Sequence, residues 1–390
     1  MTSVVDRFVK YVQINTQSNE FSESVPSSTG QWDLARVLLD ELHEMGVTDA
    51  VLTPQCYVYA CLPANTRKKV SPVGFIAHLD TSPDEKGDGV RPQFKKDKDG
   101  NDIITSDGTT LLGADDKSVI AAIMSAVEYL TENPQIKHGD VYIAFTPDEE
   151  IGRGTGHFDR DIFKADFAYT VDGGEAGELE IENFNAAKAV IKIKGKPCHP
   201  GYAKGKMVNA SIMASKLIEI LCSENIPENS EGRQGFFHVT RIEGNVGTAT
   251  VEFIIREFDQ LEFNYKKRFA NYLAEGLNEQ FGKGTATIEI TDQYRNMFDI
   301  ISQYPDIVQL AKNSMTEAGV EPKLTPIRGG TDGVKLCFDG LPCPNLFAGG
   351  INFHSKDEYI PVKSLYLAQD TVISIIKNVI LSNICIKNQN

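Results

Sequence analysis

Along the first 180 residues, apolar and polar positions follow two alternating periods. In DLARVLLDELHEMGV (33–47), Leu34, Val37, Leu38, Leu42 and Met45 fall on one stripe at helical spacing, which predicts a helix. VGFIAHLD (73–80) and VYIAFTPDEE (141–150) open with near-continuous apolar runs, the pattern of strands buried on both faces. Between them, Ser118 to Leu130 predicts an apolar helix, and AYTVDGG (168–174) predicts a short strand ending at glycine. This alternation implies an α/β fold: a mainly parallel sheet with helices on both faces.

The pattern changes between residues 186 and 294. A strand (AAKAVIKIKG), a helix (NASIMASKLIEILCS), two strands (GFFHVTRIEG and TATVEFIIREFD), a second helix (DQLEFNYKKRFANYLAEGLNEQF) and a last strand (TATIEITDQY) follow in order. The order β-α-β-β-α-β is that of a ferredoxin-like α+β domain. Beyond it, ISQYPDIVQLAKNSMTEAGV and a closing helix from about Val362 to Leu381 return to the α/β style. The expectation is a discontinuous catalytic domain of residues 1–184 and 296–390, with residues 185–295 inserted as a second domain. The Ser- and Asn-rich stretch from Thr16 to Gly30 predicts a loop.

Length and composition agree with two domains, since 390 residues exceed what a single core usually serves. A net charge of -15 argues against nucleic acid as a partner, because phosphate backbones are held by clustered Lys and Arg. MTSVVDRFVKYVQINTQ lacks the basic start, unbroken apolar run and cleavage site of a signal peptide. No stretch reaches the roughly 18 apolar residues of a membrane span. Seven cysteines, scattered from Cys56 to Cys385, suggest reduced thiols and a cytoplasmic location.

The residues that carry chemistry cluster where strands end, which is where open α/β sheets bind ligands. His78 and Asp80 lie two apart at the end of VGFIAHLD, so one face presents an imidazole to a metal and a carboxylate to orient it. Taken alone, the pair is equally a capping Asp beside a satisfied His. Asp115 and Asp116 precede an apolar helix, where an N-cap needs the same residue types. Asp148, Glu149 and Glu150 close a buried strand, and three consecutive carboxylates repel one another unless a cation lies nearby. Asp172 ends another strand, a place where a turn Asp before Gly is also common. His354 follows a Gly-Gly pair, whereas His43, His138 and His157 stand in surface-like contexts. Mixed His and carboxylate ligands suit zinc, with cobalt or manganese as substitutes. Two divalent ions bring four positive charges, which Asp115, Glu150, Asp172 and a bridging hydroxide balance, leaving Glu149 free to move protons. The adjacent Cys198 and His199 point to opposite faces of a strand and make no nucleophile pair. Gly152 to Gly156 reads as a flexible turn rather than a phosphate loop.

With these motifs together, the chain resembles the superfamily of two-zinc exopeptidases and aminoacylases, and within it the tripeptide aminopeptidases. FIAHLDTSPD (75–84), TLLGADDK (110–117), HGDVYIAFTPDEE (138–150), TVDGG (170–174), HPGYAKGKMVNA (199–210), PIRGGTDG (326–333) and GLPCPNLFAGGINFH (340–354) carry the resemblance across almost the whole length. It implies two Zn2+ per chain, one held by His78, Asp115 and Asp172 and the other by His354, Asp115 and Glu150. It further implies that Asp80 orients His78, that Glu149 is the general base, and that the inserted domain is a lid. His199 of the HPG motif is implied to hold substrate or stabilise the oxyanion. Arg328 offers the paired donors that a peptide's terminal carboxylate needs. The chain departs from the family pattern in a short 91–103 segment, at Ser355 and Asp357, and in RIEGNVGTAT (241–250), changes that bear on substrate preference. The implied partner is a short peptide, with neither nucleic acid nor membrane, and the chain is a monomer or a homodimer. A two-metal dipeptidase or N-acyl amino acid hydrolase, and a peptide-binding homologue without catalysis, are the alternatives.

Overall fold

The computed structural model describes residues 2–223, 225–382 and 384. The chain divides into two compact units, one of residues 1–181, 297–325 and 331–390, the other of residues 182–296 and 326–330.

The first unit is built on an eight-stranded sheet in the order Val51–Leu52, Val58–Leu62, Val141–Thr146, Val73–His78, Phe167–Gly173, Asn345–Phe347, Glu178–Glu180, Lys323–Leu324. Its centre is parallel: Val73–His78 runs with Val141–Thr146 on one side and Phe167–Gly173 on the other, and Asn345–Phe347 continues in the same sense. Every residue of Val73–His78 is buried, so both sheet faces are covered, as its unbroken apolar run predicts. Register then places the chemistry. His78 pairs with Thr146, and Ile76 with Thr170, so His78, the Pro147–Glu150 segment and Asp172 leave the sheet at one edge.

The Ala114–Glu132 helix is apolar on nearly all sides and packs against the helices Val362–Val379 and Val4–Val12, with Pro305–Glu317 on the far side of Val362–Val379. The Gly30–Glu44 helix buries Leu34, Leu38 and Leu42 of the stripe read from the sequence, together with Ala35. Two features have weak sequence signals. Val4–Val12 is a helix whose first turn is capped by the Ser3 hydroxyl accepting from the Asp6 N–H. A small antiparallel sheet joins Tyr359–Pro361, Asp102–Thr105 and Gln93–Lys96, so the short 91–103 segment forms a hairpin.

The second unit is a four-stranded antiparallel sheet in the order Phe236–Gly244, Thr248–Glu257, Asn185–Lys194, Ala286–Tyr294, with the helices Ala210–Leu221 and Gln260–Phe281. Along Asn185–Lys194 the pleat sends Ala187, Ala189, Ile191 and Ile193 into the core and leaves Lys188, Lys192 and Lys194 exposed. Asn209 and Asp259 cap the two helices by accepting backbone N–H groups. The β-α-β-β-α-β order and this strand sequence define a ferredoxin-like α+β unit inserted into the α/β one. Among the described residues no helix is long and apolar enough to cross a membrane. Cys56, Cys61, Cys198, Cys222, Cys337 and Cys343 are free thiols, and Cys385 lies outside the described residues.

Candidate active site

Three strand ends, the first turn of the Ala114–Glu132 helix and the loop carrying His354 bring His78, Asp115, Glu150, Asp172 and His354 into one cluster. Nε2 of the buried His78 lies 2.9 Å from Oδ1 of Asp115 and 3.5 Å from Oδ1 of Asp172. Nε2 of His354 lies 3.2 Å from the other oxygen of Asp115 and 3.1 Å from Oε2 of Glu150. Asp115 therefore stands between the two histidines, facing one with each oxygen. Within 4.8 Å of one another lie ligand atoms of His78, Asp115 and Glu150, and also of His78, Asp116 and Asp172. Asp116 is the addition to the sequence reading. Its Oδ2 accepts the His78 backbone N–H at 3.1 Å and its buried Oδ1 has no hydrogen-bond partner.

The surrounding shell holds these groups in place. Nδ1 of His78 is 3.0 Å from the Asp80 carbonyl and 3.3 Å from Asp80 Oδ1, while the same carboxylate accepts the N–H groups of Glu149 and Glu150 at 3.0 and 3.1 Å. Asp84, whose signal lay unread in TSPD, plays the corresponding part for His354, with Oδ2 3.2 Å from Nδ1. A proton on each Nδ1 leaves Nε2 as a lone-pair donor toward the cluster. Asp148, in the left-handed region at φ 58°, accepts from the Ser27 N–H, the Ser27 hydroxyl and Gln31 Nε2, which fixes the turn carrying Glu149 and Glu150. Asn345 accepts the Asp172 N–H through Oδ1 and donates to the buried Glu180 through Nδ2.

The Gly152–Gly156 turn, read as flexible, is tied down. The Arg153 N–H donates to the Asp148 carbonyl, Lys335 Nζ to the Gly152 carbonyl and the Tyr57 hydroxyl to the Gly154 carbonyl. Gly154 has no room for a side chain, because a Cβ there would lie 2.2 Å from Asp332 Oδ2.

The electrostatics are those of a site short of positive charge. Burial, with repulsion from Asp115, pushes Glu150 up to about 7, and burial pushes Asp172 up to about 6. Glu149 is raised well above the usual carboxylate range by burial and by Asp172. Hydrogen bonds to Asp115 and Glu150 carry His354 up to about 11, and the carboxylates around His78 outweigh its burial and raise it too. For Asp115, burial is outweighed by the two imidazoles, which hold it below the usual range. The donor set, imidazole nitrogen with carboxylate oxygen, suits divalent zinc, cobalt or manganese. The buried Glu150 Oε1, which also has no hydrogen-bond partner, supplies an acceptor such an ion would satisfy. The residues present fit metal ions.

His199 and Arg328 belong to the second unit. His199 is exposed, and its Nδ1 accepts the Gly201 N–H at 3.2 Å, so the neutral ring carries its proton on Nε2. Arg328 stacks over Phe184 and Phe236 and donates to the Gly232, Gln234 and Ser230 carbonyls and the Ser230 hydroxyl. Its fork is engaged by the 230–234 loop, a contact that no spacing in PIRGGTDG signals. One expectation is corrected: His138 is buried, at 3 % exposure, with Nδ1 2.8 Å from the Gly139 carbonyl. Its backbone N–H donates to Asn65, so the turn before Val141–Thr146 folds inward and takes the ring with it.

Fold and site together define a metal-dependent exopeptidase, and since the model of peptidase family M20/M25/M40 matches residues 74–378, the chain belongs to that family. Within it, relatives 45–48% identical to this chain are peptidases T. The chain is 46% identical to peptidase T of Clostridium perfringens, over 97% of this chain and 99% of that one. It is 47% identical to peptidase T of Caldanaerobacter subterraneus, over 97% and 98%. The crystal structure of the aminopeptidase PepT from Bacillus cereus superposes with a TM-score of 0.81 at 26% identity, covering 96% of this chain and 98% of that one.

Proposed function

We propose that this chain is a cytoplasmic two-zinc aminopeptidase that releases the N-terminal residue of tripeptides. The observation that carries the reading is the single cluster in which Asp115 faces both His78 and His354, with Asp172 and Glu150 completing the two sets. The tripeptide preference rests on the likeness to peptidases T across nearly the whole chain.

His78, Asp115 and Asp172 would hold one zinc, and His354, Asp115 and Glu150 the other. Bound there, the two ions would supply Lewis-acid chemistry, polarising the scissile carbonyl and acidifying the attacking water. Asp80 orients His78 and holds the backbone of the Glu149 turn. Glu149, raised by burial and by Asp172, takes the proton of the attacking water and returns it to the leaving amine. His199 presents its Nε2–H to the substrate, as a donor for the developing oxyanion. Arg328 takes the terminal carboxylate in exchange for carbonyls of the 230–234 loop, since a carboxylate offers the guanidinium fork an opposite charge and two parallel acceptors, which single carbonyls do not.

The test is hydrolysis of Met-Gly-Gly by the metal-stripped and zinc-restored enzyme, beside the dipeptide, the N-acetylated tripeptide and the tripeptide amide. Zinc-dependent release of methionine from the free tripeptide is expected, with poor turnover of the amide. Glu149→Gln is expected to lower kcat by roughly 10²–10⁴-fold with zinc content unchanged. Preference for the dipeptide or the acetylated substrate would overturn the tripeptidase reading in favour of a dipeptidase or N-acyl hydrolase.

A further inference from the structure

Glu358 has no place in the reaction above, yet its carboxylate is among the most heavily engaged in the molecule. It is 1 % exposed, and its Oε2 accepts the N–H groups of Leu112 and Gly113 at 2.7 and 2.9 Å. Its Oε1 accepts those of Ala114 and Asp115 at 2.7 and 3.3 Å. Four consecutive donors leading into the Ala114–Glu132 helix thus converge on one side chain. The backbone at Asp115 and Asp116 departs from helical values there, so the helix's own ladder does not hold this stretch.

The other end of Glu358 is anchored in the loop that carries His354. Ile351 and Tyr359 exchange both backbone hydrogen bonds, at 2.9 and 3.1 Å, and close residues 351–359 into a loop. Asn352 and His354 lie inside it in the left-handed region, at φ 58° and 59°. Glu358 sits at the base of this loop, one residue before Tyr359. Its side chain is therefore the tie between the backbone of Asp115 and the loop that presents His354, whose carboxylate and imidazole meet at 3.2 Å.

We propose that Glu358 is a positioning residue for the metal centre: a strut that sets the separation of Asp115 from His354, and with it the geometry of the cation these two share with Glu150. The proposal rests on the two-metal reading of the site. A carboxylate is required because four donors need two acceptor atoms with two lone pairs each. Glutamine would turn an N–H toward N–H donors, and aspartate would keep the charge but fall one methylene short.

The test uses the full chain, stripped of metal and titrated with Co2+. Chelator competition gives the affinity of each ion, the visible absorption spectrum gives the ligand geometry, and the melting temperature of the metal-free protein is measured alongside. In Glu358→Gln, one of the two Co2+ ions is expected to bind roughly 10–100-fold more weakly with an altered spectrum, and the other, which shares only Asp115, to weaken less. Glu358→Asp is expected to fall between that variant and the wild type. It decides the matter if circular dichroism shows that the glutamine variant does not fold. A lower melting temperature with both affinities and the spectrum as in wild type would make Glu358 merely structural, and equal weakening of both ions would also overturn the strut. A wild-type protein that takes up no divalent ion would instead overturn the two-metal reading itself.

Discussion

The carboxylate of Asp80 meets demands from two directions. Its oxygens accept the N–H groups of Glu149 and Glu150 at 3.0 and 3.1 Å, while Oδ1 also lies 3.3 Å from the imidazole of His78. The residue thus couples the orientation of His78, the proposed ligand, to the placement of Glu149, the proposed general base, and only the first of these roles was legible in the spacing His78-Leu79-Asp80. Asp80→Asn turns an amide N–H toward a backbone N–H. The variant is expected to lose roughly 10–100-fold in metal affinity and to lose activity even at saturating metal, because the Glu149 turn loosens as well. Full kcat at saturating zinc, read from a metal titration of activity, would show that Asp80 acts through His78 alone. The same limit applied to Asp84, Asp116 and Glu358. Acidic residues are common in turns, and nothing in their local pattern says which of them will face a histidine or a row of backbone N–H groups.

Elements were easier to read, because burial and period are local properties. VGFIAHLD and VYIAFTPDEE became adjacent parallel strands, and the six elements of the second unit appeared in the expected order with ends within a residue or two. The Gln93–Lys96 strand was missed because all four of its residues are exposed, which leaves no apolar alternation to see. The short Glu178–Glu180 strand carries a further consequence. Burial pushes Glu180 up to about 8 against the hydrogen bond from Asn345. Its folded pKa is above its unfolded one, so between the ordinary glutamate range and about 8 the native state holds more protons, and stability falls as pH rises through that window. Glu180→Gln keeps an acceptor for Asn345 and removes the titration. The metal-free variant is expected to melt several degrees higher than wild type near pH 8 and at nearly the same temperature near the acid end of the window. An unchanged difference across the window, measured by thermal scans, would assign the effect elsewhere.

At the scale of the whole molecule, the His78–His354 cluster gathers carboxylates that repel one another in a chain already carrying a net charge of -15. Cation binding is therefore expected to stabilise the fold by mass action, by about 2.7 kcal/mol per site at a hundredfold excess over Kd. Chelation should lower the melting temperature and Zn2+ should restore it; a scan indifferent to both would argue against tight occupancy. What the sequence determined by itself was the kind of each long element, the interruption of an α/β pattern by a β-α-β-β-α-β one, and the strand ends at which His78, Asp80, Glu149, Glu150 and Asp172 stand. Those follow from side-chain period and from the length of apolar runs, which a few neighbouring residues settle. Only the tertiary structure decided that Asp84 backs His354 and Asp116 takes the His78 N–H, that His138 turns inward, that Arg328 is engaged by the 230–234 loop, and that Glu358 reaches Leu112 across 246 positions of chain. Such contacts depend on how distant segments pack, and a hydrogen bond closed over that distance leaves no local pattern in the residues that make it.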